Sequence, residues 1–232
     1  MTTHIRSTKK TVRRGDSWSS ASAVAAAFIV SSILFTTHGA QRFESFIAPR
    51  LDIESRPYEP FVSRSANASV YVILLLSSVA VIWLAIRRQW FDVLVVAVGL
   101  GIGQVILTGL QDRFSGVRPA PVDSLKLGAI WQTPSGHAFG ITVTATLIWH
   151  LVTEWTPRIR SDVRRIVVTI AIVISVLRIL NAEHYVGDVI NGALAASAWS
   201  LLCLAIRASW RRRHNERPAM HKTQEADCRA DP

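Results

Sequence analysis

Six apolar stretches interrupt this chain, each long enough to approach the roughly 20 residues that cross a bilayer as a helix. They run from about 21 to 37, 70 to 86, 93 to 110, 134 to 152, 166 to 180 and 185 to 208. A backbone in hydrocarbon must satisfy its own N–H and C=O groups, so only helices or a closed barrel remain available. Barrel strands alternate apolar and polar residues, whereas VYVILLLSSVAVIWLAI, from 70 to 86, is apolar on every face. The reading is therefore all-α: a polytopic membrane protein built as a six-transmembrane-helix bundle over residues 21 to 208. A basic segment, 1–20, precedes the bundle, and a polar, basic tail, 209–232, follows it and is read as disordered, with a weak attraction to anionic lipid.

Half the residues are apolar, yet the formal charge is +10, which fits apolar spans with basic ends. With the N-terminus inside, the successive cytoplasmic segments hold five, two, four and seven Lys or Arg residues, eighteen in all, against eight on the outer side. That asymmetry places both termini in the cytoplasm of a cell (plasma) membrane protein. A cleaved leader is the competing reading of the start, where KKTVRR precedes an apolar stretch and HGA. The arginines flank spans and form no recognition module, which argues against nucleic acid as a partner. Cys203 falls in the sixth span and Cys228 in the tail, so neither a disulfide nor a cysteine metal site is expected.

Three polar clusters lie on the same, outer side: GLQDRFSGVRPAP after the third span, QTPSGH before the fourth and LRILNAEHYVGD between the fifth and sixth. They bring His137, Arg178, His184 and Asp188 into or beside apolar spans, where ionisable groups are costly and point to function. Thr133 is read as the N-cap of the fourth helix and Pro134 as its first residue. The amides of Ser135, Gly136 and His137 then form an anion site at the positive end of the helix dipole, with Gly136 permitting close approach. The alternative is an ordinary capped helix with an interfacial histidine. His184 and Asp188 are four apart and share a helix face, so the carboxylate can hold the Nδ1 proton and leave Nε2 free as a base or nucleophile. A buried polar pair that helps helices associate is the other reading.

Arg118 and Arg178 present guanidinium forks suited to phosphate, or else serve as snorkelling anchors. Two histidines and an aspartate could also bind a metal, but arginines would repel a divalent cation and only Asp188 offers a firm carboxylate, so no metal or other cofactor is expected. GLGIG, residues 99 to 103, lies inside a span and follows no strand, so it reads as a close-packing stripe rather than a nucleotide loop. His150 reads as a packing or interfacial histidine.

Together these clusters resemble the three-part signature of the type 2 phosphatidate phosphatase superfamily, also called lipid phosphate phosphatases, which shares its active site with vanadium haloperoxidases. The second motif stands as Pro134-Ser135-Gly136-His137 and the third as Arg178, His184 and Asp188, with Leu177 in place of the usual serine. The first motif is present in Arg118-Pro119, but Gln111 occupies the position of its lysine. The resemblance implies hydrolysis of a membrane lipid phosphate without metal. His184, oriented by Asp188, would form a phosphohistidine, and His137 would protonate the leaving oxygen. Arg118, Arg178, Ser135, the Gly136 amide and Gln111 would hold the phosphate. The implied substrates are a polyprenyl phosphate or diphosphate, phosphatidate or phosphatidylglycerophosphate. The rival is a lipid-phosphate-binding membrane relative that is catalytically weak or inactive through the loss of the lysine.

Overall fold

The computed structural model describes residues 14–36, 59–114, 116–117, 130–131, 133–180 and 184–230. Six helices occur among them: α1 (Arg14–Thr36), α2 (Glu59–Ile86), α3 (Trp90–Phe114), α4 (Gly136–Trp155), α5 (Arg160–Leu180) and α6 (Val186–Ala230). A 3-10 turn at Pro157–Ile159 joins α4 to α5, and a two-residue antiparallel ribbon pairs Gly116–Val117 with Ile130–Trp131 between α3 and α4. The expected all-α membrane fold is thus present. Ala68–Ile86, Trp90–Arg113 and Val186–His214 are each long and apolar enough to cross a membrane, while α1 and α4 carry shorter apolar stretches, Ser22–Ile33 and Gly136–Val152. Tyr71, Leu75, Val105 and Ile172 point outward, an apolar belt suited to acyl chains.

Helix α4 is the axis of the bundle and packs against α2, α3, α5 and α6. Ala138, Ile141, Val143, Leu147 and Leu151 are buried along it, which is why its sequence shows no polar face. The GLGIG stripe acts as expected. A Cβ at Gly99 would come within 2.7 Å of the Leu147 side chain, and one at Gly103 within 2.8 Å of the Trp199 ring nitrogen. The gap admits Trp199, whose Nε1–H donates to the Gly99 carbonyl at 2.8 Å, so a backbone acceptor and an indole donor are both satisfied inside the apolar slab.

At the end of the bundle opposite His137, four charged groups close the core. Arg207 grips Asp92 through Nε at 2.6 Å and Nη2 at 2.8 Å, and donates to Glu154 from Nη1 at 2.6 Å. Arg211 reaches Asp92 at 3.0 Å and Glu154 at 2.8 Å. Asp92 is fully buried, 0% exposed, and two cations balance two carboxylates, the condition under which buried charge is tolerated. The network pins the start of α3, the end of α4 and the middle of α6. Helix α6 continues past this network to Ala230. Just beyond residue 208, Trp210 stacks on Phe91 with ring centroids 4.0 Å apart and on His214 at 5.1 Å.

Candidate active site

The start of α4 differs in detail from its sequence reading. The N-cap is Ser135, not Thr133, and Pro134 precedes the helix. The Ser135 N–H is not available to a ligand, because it donates to the Asp188 carbonyl at 2.9 Å. Phe139 N–H makes the first bond of the helix, to the Ser135 carbonyl at 3.0 Å. The amides of Gly136, His137 and Ala138 accordingly have no acceptor within the helix, as at any helix N-terminus. The Ser135 hydroxyl makes no capping bond and is buried. The anion-site reading therefore rests on the Gly136 and His137 amides at the positive end of α4.

Asp188 lies in the first turn of α6 and performs two tasks. Its Oδ2 accepts the Tyr185 N–H at 2.9 Å, as the carboxylate of a capping box does. The same oxygen stands 3.5 Å from His184 Nδ1. That separation exceeds a good hydrogen bond, and Nδ1 is buried with no shorter polar contact among the described residues. A movement of about half an ångström would close the bond, as catalytic hydrogen bonds often tighten only around substrate. The carboxylate is 0% exposed and the imidazole 10%, so the pair is held with little water around it.

Arg178 comes from the last turn of α5, on the face that also buries Val167 and Ile174. At 7% exposure it turns into the bundle, which sets aside the snorkelling reading. His137 lies within electrostatic reach of both Arg178 and His184. Gln111, in the last turn of α3, donates from Nε2 to the Pro134 carbonyl at 2.9 Å. The structure thus gathers Gln111, Ser135, Gly136, His137, Arg178, His184 and Asp188 at one end of the bundle. Arg118 lies outside the described residues. Among the described residues, no three His, Cys, Asp or Glu side chains converge as a metal site would require.

Gly192 escaped the sequence reading. A Cβ there would sit 2.6 Å from the Ser135 carbonyl oxygen and 3.2 Å from Ala138 Cβ, so the start of α4 rests directly on the α6 backbone. Its position four residues after Asp188, on the same helix face, was the available signal. A groove of about 380 Å³ opens between α2, α3 and α4, lined by Val70, Leu74 and Leu100 and reaching Gly136 and His137.

The sequence model of the PAP2 superfamily matches residues 92–212, more than half of the 232-residue chain. That span contains every candidate site residue as well as the Asp92, Glu154, Arg207 and Arg211 network. The crystal structure of a transmembrane PAP2-type phosphatidylglycerolphosphate phosphatase from Bacillus subtilis superposes with a TM-score of 0.67. The match covers 82% of this chain and 96% of the other at 16% sequence identity, which is a likeness of fold. No curated protein matches the sequence.

Proposed function

The chain belongs to the PAP2 superfamily, and from that premise we propose that it is an integral-membrane lipid phosphate phosphatase acting through a phosphohistidine. The observation that carries this reading is the convergence of Arg178, His137 and the His184–Asp188 pair on the N-terminus of α4. His184 Nε2 attacks phosphorus in line, and the bond from phosphorus to the leaving oxygen breaks as His137 gives that oxygen a proton. Water, deprotonated by His137, then attacks the phosphohistidine, releasing inorganic phosphate and restoring the imidazole. Arg118, Arg178, the Ser135 hydroxyl and the Gly136 amide stabilise the charge on the equatorial oxygens. The low exposure of Ser135, Arg178 and Asp188 supports strong electrostatics there. The groove that ends at His137 has the apolar walls a lipid chain needs while its phosphate reaches the helix end.

Purified protein should release inorganic phosphate from at least one of polyprenyl phosphate, polyprenyl diphosphate, phosphatidate and phosphatidylglycerophosphate in detergent. Binding of these lipids without release from any of them would support the non-catalytic alternative instead.

The excess of basic residues in the segments read as cytoplasmic supports an active site on the outer face of the plasma membrane, with both termini inside. In a Cys228→Ser background, a cysteine at Asp123 should react with an impermeant maleimide on intact cells, and one at Asp162 only after lysis. The opposite pattern overturns the orientation.

A further inference from the structure

The peptide joining Pro134 to Ser135 is held at both poles. Its carbonyl accepts the Gln111 Nε2–H at 2.9 Å, from the end of α3. Its N–H donates to the Asp188 carbonyl at 2.9 Å, in the first turn of α6. Two bonds at opposite ends of one peptide fix its plane, because rotating that plane breaks both. The next peptide, from Ser135 to Gly136, is confined from another side by Gly192, whose α-carbon leaves no room for a Cβ beside the Ser135 carbonyl. The Gly136 and His137 amides follow directly.

We propose that Gln111 is a positioning residue: it fixes the Pro134–Ser135 peptide and, through it, the direction of the Gly136 and His137 N–H groups. This rests on the reading of those amides as the phosphate cradle. One of the two Nε2–H groups of Gln111 is engaged with a backbone carbonyl, and on this proposal the residue's effect comes from that bond rather than from a contact with phosphate. A neutral amide suits that task, since it needs a directed N–H and no charge. Oxyanion donors act through pre-set direction, so a cradle turned away from the developing charge loses rate more than it loses substrate binding.

The chain offers a specific probe of this peptide. Pro134–Ser135 is its only Pro-Ser pair, so carbonyl-13C proline combined with 15N serine yields a single correlated signal, reporting both the carbonyl bonded by Gln111 and the amide bonded to Asp188. In ligand-free protein, Gln111→Met, which keeps the length of the side chain and removes the donor, should shift that carbonyl resonance. Gln111→Lys, which can again donate to the carbonyl, should return the signal toward the wild-type position. With phosphatidate, or whichever lipid phosphomonoester is turned over best, Gln111→Met should lower kcat about tenfold, the rate equivalent of one neutral hydrogen bond. KM and vanadate inhibition should change by less than about twofold, and Gln111→Lys should restore kcat.

An unmoved carbonyl signal in Gln111→Met overturns the proposal, as does a loss that falls on vanadate affinity while kcat is kept; the latter marks Gln111 as a phosphate ligand. The spectroscopic arm needs no turnover. A shifted signal in a protein that hydrolyses none of the lipids would therefore retain the tie and reject the phosphatase reading.

Discussion

Replacing His184 with alanine should abolish phosphate release while leaving the helices folded, and Asp188→Asn should slow it by about 100-fold or more. The two substitutions act on different properties of one pair. Alanine removes the attacking nitrogen outright. Asparagine can still accept the Tyr185 N–H that Asp188 now receives at 2.9 Å, so α6 keeps its first turn. Because the same Oδ2 serves the Tyr185 N–H and faces His184 Nδ1 at 3.5 Å, asparagine either leaves Nδ1 only a neutral oxygen, which stabilises charge on the ring less, or turns its N–H groups toward Nδ1 and drives the ring proton to Nε2. An imidazole protonated at Nε2 has no lone pair there with which to attack phosphorus. Circular dichroism and thermal unfolding check that the fold survives, and initial rates of phosphate release give the loss. Near-normal turnover in His184→Ala would remove the histidine from the mechanism.

The largest expected effect on stability lies at the other end of the bundle. Arg207→Met should destabilise the protein by about 3–5 kcal/mol, the range for breaking a buried ion pair by removing one partner. Asp92 would remain at 0% exposure with Arg211 still 3.0 Å away, and Glu154 would lose its 2.6 Å contact. Combining Asp92→Leu with Arg207→Met removes a charge of each sign and leaves Glu154 paired with Arg211. The double variant should therefore recover part of the loss, as apolar replacement of buried pairs often does. Unfolding in mixed micelles measures both. Equal destabilisation of the single and double variants would show that uncompensated charge is not the cause.

That network also bears on the site. The steps along the three helices that carry both ends are 19 residues on α3 (92 to 111), 17 on α4 (137 to 154) and 19 on α6 (188 to 207). At the rise of an α-helix these are about 28, 26 and 28 Å, close to the thickness of a bilayer core. The charge network and the candidate site thus sit at matching separations along the same three helices. Because the lever is long and the packing between is tight, activity per folded molecule should survive Arg207→Met even as stability falls.

The membrane helices and the placement of most candidate residues at one end of the bundle were legible because their signals are local. Unbroken apolar runs identify spans, and the spacing of His184 and Asp188 alone puts them on one face. The Gly99–Gly103 stripe was legible for the same reason, since small residues four apart within a span imply close packing. What was missed depends on partners far away in sequence. Ser135 was read as a free amide because its acceptor, Asp188, lies on another helix. The bond that Gln111 donates to the Pro134 carbonyl was not foreseen, because spacing cannot locate that acceptor. Asp92 and Arg207 stand 115 residues apart in sequence, and only the bundle shows that they meet in its interior.

The central claim is that phosphorus is transferred to His184, and trapping the intermediate tests it most directly. The protein would be mixed with a 32P-labelled lipid phosphate, quenched in alkali within the first turnover, digested and mapped. A phosphohistidine is stable in base and labile in acid, unlike a phosphoserine or an acyl phosphate. The account predicts base-stable, acid-labile label on the peptide containing His184, absent from His184→Ala. Label on a peptide that lacks His184, or the same label in His184→Ala, would contradict it.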